Sequence, residues 1–242
     1  MSKNVLIIGG GTGLGEAIAL SFAKEGWKIA IAGRRQEKLD DVAKQATEFT
    51  DQPILSHTVD VGERSQVEDL FEWFSNKVGH LDIMVNCAGI NIADRTMEKL
   101  DPENWDKLLR INATGAYDAM RCALSDMRPR EDGIIINISS VAGKRAVLLG
   151  GVAYNASKFA MTALGTTVSE EVKDLGIRVT NVYPGEVNTP ILDNRPVPPP
   201  ESHRQSILQA QDVADAVLMI AKLPPRAHIP ELVIKPTKQS FV

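Results

Sequence analysis

Short apolar runs alternate with longer stretches of helical period along this chain. "NVLIIG" is followed by "GEAIALSFAKEG", "KIAIAG" by "QEKLDDVAKQATEF", and "ILSHTVD" by "ERSQVEDLFEWFSNKV". The rhythm continues through "DIMVNCAG", a helical stretch from about Asn104 to Met127, "GIIINIS", a helix from about Val152 to Leu175, "IRVTNVYPG", "DVADAVLMIAKL" and "ELVIKP". Strand following helix in this order predicts parallel pairing through helical crossovers. Runs such as "GIIINIS" are apolar on both faces, as a strand must be when helices cover both sides of its sheet. The expected fold is an α/β, doubly wound parallel sheet of seven strands with about six helices.

The 242 residues suit one domain, residues 1–242, around one sheet. No repeat interrupts them, and composition shifts only at "NTPILDNRPVPPPESHR". Its prolines neither donate to a sheet nor continue a helix. About 40 residues follow, too few for a second domain, so this stretch is expected to be a loop at about 190–204 over the binding crevice. The tail "ELVIKPTKQSFV" reads as a last strand and an extension.

Charge narrows the function classes. Lys and Arg number 27 against 31 Asp and Glu, a net charge of −4, without a basic stripe, so neither nucleic acid nor an anionic membrane is an expected partner. Aromatics are only 5% of the chain, too few for a base-stacking platform. The apolar run near the start is too short for a signal peptide or a span, and the expected compartment is the cytoplasm. Cys87 and Cys122 lie in apolar contexts and read as reduced, packed thiols. Four scattered histidines show no ligand spacing, so no metal site is expected.

"IIGGGTGLGEAIA" sets Gly9, Gly13 and Gly15 between the first strand and the first helix. Such glycines let a pyrophosphate approach the helix N-terminus, where free N–H groups and the helix dipole favour anions. The second strand would normally end on an acid that accepts hydrogen bonds from the adenosine ribose. Here Gly33 stands in that place, and Arg34 and Arg35 follow. Loss of a carboxylate and gain of guanidinium groups suit a 2′-phosphate, so NADP(H) is expected rather than NAD(H).

Tyr154 and Lys158 in "YNASKFAMTAL" are four residues apart, on one face of a helix. A phenol with a pKa of about 10 is a poor base at neutral pH, but a nearby ammonium and the first helical turn both favour the phenolate. Ser140 ends the strand "GIIINISS", where a hydroxyl could hold a substrate oxygen while Tyr154 moves a proton.

Together these pieces resemble the short-chain dehydrogenase/reductases, over nearly the whole chain. The resemblance is carried by "GGGTGLG", "GRR", Asp60-Val61, "NCAG", Asn112 in "RINATGAY", "NISS", "YNASK" and "YPGEVNTP" in this order. It implies a single Rossmann-type domain and a homodimer or homotetramer. Tyr154 would be the acid/base, Lys158 would lower its pKa and hold the nicotinamide ribose, and Ser140 would orient the carbonyl. Asn112 would anchor a water relaying protons from Lys158; the residues alone leave open a capped or kinked helix position. The resemblance assigns Gly9, Gly11, Thr12, Gly13, Leu14 and Gly15 to the cofactor turn, and Asp60 and Val61 to the adenine. Asn86, Ala88 and Gly89 fall beside the ribose, and Pro184, Gly185, Val187 and Thr189 around the nicotinamide. The Thr189 hydroxyl would bond the carboxamide, with a helix N-cap as the other reading.

Three features depart from the family pattern. Ile8 replaces a threonine before the first glycine, Cys87 replaces an asparagine, and thirteen residues separate Ser140 from Tyr154, one more than the family usually has. The expected activity is NADP(H)-dependent interconversion of a small carbonyl compound and its secondary alcohol. A dinucleotide-binding sensor without turnover is the alternative; an epimerase of extended type would need more chain. Expected pocket residues are Ile90, Val141, Ala142, Leu148, Leu149, Tyr183, Glu186 and Val187, with Glu186 either facing substrate or pairing with an arginine such as Arg195.

Overall fold

The computed structural model describes residues 2–240. In chain order the elements are β1 (Asn4–Ile8), α1 (Gly13–Ala23), β2 (Lys28–Gly33), α2 (Gln36–Ala46), β3 (Leu55–Thr58), α3 (Arg64–Lys77), β4 (Ile83–Asn86), α4 (Pro102–Leu109) and α5 (Gly115–Met127). There follow β5 (Gly133–Ile138), α6 (Val152–Val172), β6 (Ile177–Pro184), β7 (Val187–Asn188), α7 (Glu201–Ser206), β8 (Leu208–Gln209), α8 (Ala210–Lys222) and β9 (Glu231–Ile234).

Seven strands form one parallel sheet in the order β3-β2-β1-β4-β5-β6-β9, matching the seven expected from the pattern. The order reverses between β1 and β4, and this switch point leaves a crevice at the strands' C-terminal ends. Alternation along each strand splits the core in two. Val5, Ile7, Ile29, Ile31, Ile134 and Ile136 pack with α1, α2 and α8, whereas Leu6, Ile8, Ala30, Ala32, Met84 and Ile135 pack with α3 and α5. Each Ile or Leu so buried contributes about 1.5–3 kcal/mol.

The helix expected from Asn104 to Met127 is present but interrupted. Asp101 caps α4, accepting from the Asn104 amide at 2.7 Å ahead of Pro102. A π-helical turn at Arg110–Thr114 then separates α4 from α5. The segment expected as a proline-rich loop carries a 3₁₀ turn at Pro190–Asn194 and the short α7. Its two ends are clipped together by the β7–β8 ladder, pairing Val187 with Leu208 and Asn188 with Gln209. The tail forms β9 as expected; its last residues, Phe241 and Val242, lie outside the described residues. Among the described residues, no helix is long and apolar enough to cross a membrane.

Candidate active site

The C-terminal ends of β1, β4, β5 and β6 open into one cleft of about 870 Å³. Of the residues expected at a dinucleotide site, Gly9, Gly11, Thr12, Gly13, Leu14, Arg34, Arg35, Asp60, Val61, Ala88, Gly89, Pro184, Gly185, Val187 and Thr189 all line it. Gly15, Asn86 and Asn112, expected at the cofactor and catalytic positions, do not.

Gly15 lies behind the turn, where a Cβ would come within 2.0 Å of the Gly9 carbonyl oxygen, so it serves the close packing of α1 on β1. Asn86 sits inside the ladder between Ile8 and Asn137, only 2% exposed, with an unpartnered Nδ2. Asn112 is fully buried in the π turn.

At one end of the cleft, Arg34 and Arg35 are exposed and carry no side-chain hydrogen bond or ion pair among the described residues. The amides at the N-terminus of α1 face the same cleft; Thr12 makes no side-chain cap, and Glu16 accepts from the Gly13 amide at 3.2 Å. Asp60 turns its carboxylate onto the Gly62 amide at 2.8 Å. Free guanidinium groups, helix amides and the absence of an acid at Gly33 make a donor set suited to phosphate.

At the other end stand Ser140, Tyr154 and Lys158. Gly151, at φ +81, starts α6; a Cβ there would lie 2.5 Å from the Cβ of Arg95, so glycine lets the helix begin against that side chain. Tyr154 therefore falls in the first helical turn and Lys158 one turn on. Lys158 is 4% exposed; its Nζ donates to the Ile138 carbonyl at 3.0 Å and lies 5.7 Å from the Tyr154 ring centroid. Ser140 accepts from the Ala142 amide at 3.1 Å, and its own hydroxyl proton bears on Tyr154.

The electrostatics differ from what the spacing predicts. Burial raises the Tyr154 phenol above its ordinary value, while the Ser140 hydroxyl and then the charge of Arg95 pull it down. Lys158, turned toward Ile138, is not among the groups that lower it. Burial brings Lys158 itself down to about 8. Cys87, also on the cleft wall, is pushed up to about 12 by burial and is a packed thiol, not a nucleophile.

Asn112 binds chain to chain. Its Oδ1 accepts from the Ile90 amide at 2.8 Å, while Nδ2 donates to the Ile90 carbonyl and the Ser157 hydroxyl, each at 3.0 Å. The widened π turn brings the side chain to this position, the kinked placement left open by the residues. A Cβ on Gly89 would lie 3.4 Å from Lys158 Nζ and 3.5 Å from Asn112 Oδ1, so glycine keeps the gap between them open.

Ile90, Val141, Ala142, Leu149, Glu186 and Val187 line the cleft as expected, but Leu148 and Tyr183 do not. Leu148 is 95% exposed, and Tyr183 is fully buried with its hydroxyl on Glu231 at 2.8 Å. Glu186 both faces the cleft and pairs, with Arg195 at 2.6 Å and His203 at 3.0 Å. Thr189 occupies the N-cap position of the 3₁₀ turn without a side-chain cap.

Among the wall residues that sequence reasoning missed, two make polar contacts across the site. Gln239 accepts from the Glu186 amide at 2.9 Å, and Arg95 hydrogen-bonds the carbonyls of Leu149 and Asn194. Arg95 stands in the polar stretch "NIADRTMEK", nine residues past the end of β4, where nothing in the local pattern marks it.

Residues 3–197 match the family model described as short chain dehydrogenase. An uncharacterised oxidoreductase of Staphylococcus epidermidis is 29% identical over 234 residues, 97% of each chain, and one from Staphylococcus aureus is 30% identical over the same span. An alcohol dehydrogenase from the archaeon Thermococcus sibiricus, solved with 5-hydroxy-NADP, superposes with a TM-score of 0.88 at 25% identity, over 99% of both chains. A closed serine dehydrogenase complexed with NADP+ gives 0.87 at 28%, covering 98% of this chain and 96% of that one. A switch-point cleft, a glycine turn and this match over most of the chain lead to one conclusion: the protein is an oxidoreductase of the short-chain dehydrogenase family.

Proposed function

We propose that the protein is an NADP(H)-dependent oxidoreductase interconverting a small carbonyl compound and its secondary alcohol. The observation that carries this reading is one continuous cleft with the glycine turn and unpaired Arg34 and Arg35 at one end, and Ser140, Tyr154 and Lys158 at the other. The NADP-bound neighbours support the same cofactor.

Gly9 to Leu14 would hold the pyrophosphate, Arg34 and Arg35 the 2′-phosphate, and Thr189 the carboxamide. Bound NADP(H) would supply or accept the hydride. Ser140, whose oxygen already accepts from Ala142, donates a hydrogen bond to the substrate oxygen, keeping its proton, and orients the carbonyl. In reduction Tyr154 gives its proton to that oxygen, and the resulting phenolate is stabilised by Arg95. Lys158 resupplies the proton through the gap beside Gly89, whose far wall is Asn112. Ile90, Val141 and Leu149 exclude water around the reacting carbon.

The test is purified protein assayed with NADPH across a carbonyl panel and with NADP across an alcohol panel. Tyr154→Phe should lower turnover by about 10²–10⁴-fold while keeping NADPH affinity within about twofold. NADPH binding with no turnover in either protein would instead support a sensor.

A further inference from the structure

Arg95 is 6% exposed and lines the substrate end of the cleft. Its Nη1 donates to the Leu149 carbonyl at 2.9 Å and its Nη2 to the Asn194 carbonyl, while Nε has no partner. A guanidinium has five N–H donors, so three remain beyond these two bonds. Arg95 forms no ion pair within 4.0 Å among the described residues.

Two acids that line the cleft are already paired. Glu186 is held by Arg195 and His203, and Asp193 by Arg204. Burial and then the charge of Arg195 both disfavour the Arg95 cation. A buried cation without a counter-ion is costly, and an arriving anion removes that cost. The two carbonyl contacts fix the guanidinium before any ligand arrives, which limits the entropy lost on binding.

We propose that Arg95 anchors a carboxylate on the substrate, so that the protein acts on oxo acids and hydroxy acids in preference to neutral carbonyl compounds. A carboxylate matches one edge of the guanidinium with two hydrogen bonds. The nearby carboxylates of Glu186 and Asp193 would repel a phosphate dianion more strongly than a carboxylate monoanion. Apolar Ile90, Val141 and Leu149 suit the hydrocarbon between the acid and the reacting carbon.

This inference rests on the carbonyl reductase reading above, and its test separates the two. With NADPH, 2-oxobutanoate, acetoacetate and levulinate are each compared with their methyl esters. In the wild type the best acid should exceed its ester in kcat/KM by about tenfold or more, mainly through KM. Arg95→Gln should lower kcat/KM for that acid about 100-fold more than for its ester, and Arg95→Lys should restore part of the preference. NADPH affinity and the thermal midpoint of each variant report whether the fold survives.

Esters turned over as well as acids by the wild type would overturn the proposal, as would an equal loss of both in Arg95→Gln, which would leave Arg95 a latch between Leu149 and Asn194. Tyr154-dependent turnover of neutral esters alone would sink the acid preference while leaving the reductase reading standing. If no panel member turns over, levulinate and methyl levulinate are titrated against bound NADPH fluorescence. Arg95-dependent binding of the acid alone then supports the anchor, and its absence refutes it.

Discussion

The Lys158 ammonium donates to the carbonyl of Ile138, the last residue of β5, at 3.0 Å. This bond anchors α6 to the strand end that precedes Ser140, and it holds a 4%-exposed charge in place. The cost of that burial is visible in the fall of Lys158 from 10.5 to about 8.

That fall has a pH signature. Between pH about 8 and 10.5 the unfolded chain binds more protons at Lys158 than the folded one, so this group's contribution to stability rises with pH across that window. Lys158→Met removes the dependence. Urea unfolding at neutral pH and near pH 10.5 should show the wild type gaining on the variant by up to about 3 kcal/mol as pH rises. A difference that stays flat would contradict the assignment.

Gly15 is the position where a methyl group has least room. Gly15→Ala places a Cβ 2.0 Å from the Gly9 carbonyl oxygen, so the turn or the helix must move. The expected cost is about 2–3 kcal/mol, a drop in Tm of roughly 5–10 °C. NADPH affinity should fall with it, measurable by fluorescence titration. An unchanged Tm would mean that α1 shifts without strain.

Asn112 makes three hydrogen bonds inside the protein. Asn112→Ala leaves the half-buried Ile90 amide and carbonyl without their partner, which should cost about 1–2 kcal/mol. In the proposed mechanism kcat falls at least tenfold and KM moves little, because Asn112 does not line the cleft. A rise confined to KM would place its influence on the Ile90 wall instead.

Arg34→Asp addresses cofactor choice. Arg34 is exposed and unpaired, so the substitution breaks no internal contact. The Kd for NADPH should rise about 100-fold and that for NADH less than about threefold. Equal changes for both cofactors would show that Arg34 does not meet the 2′-phosphate.

The strands, the helices and the order of the chemistry were readable because they repeat locally. Alternation in "NVLIIG" and "KIAIAG" sorts odd and even residues onto two faces, and both faces are buried as the apolar runs require. The π turn was not readable, since "RINATGAY" carries ordinary helical spacing. That Asn86 does not line the cleft was unreadable for a related reason: strand period gives the face of a residue but not whether its side chain reaches past the strand end. The position of Glu186 between facing the cleft and pairing was undecidable in one dimension, and in space it does both.

What local order alone settled is the sheet, the glycine turn before α1, the i,i+4 pair of Tyr154 and Lys158, and the missing acid at Gly33, all set by residues adjacent or one turn apart. Tertiary structure decided where the charges balance. Lys158 bonds the Ile138 carbonyl, and Arg95, 59 residues before Tyr154, lowers the phenol after the Ser140 hydroxyl. Arg195 takes Glu186 and Arg204 takes Asp193, leaving Arg95 unpaired. Electrostatic energy depends on separation and burial in space, and sequence spacing carries that information only within a turn or a strand pair.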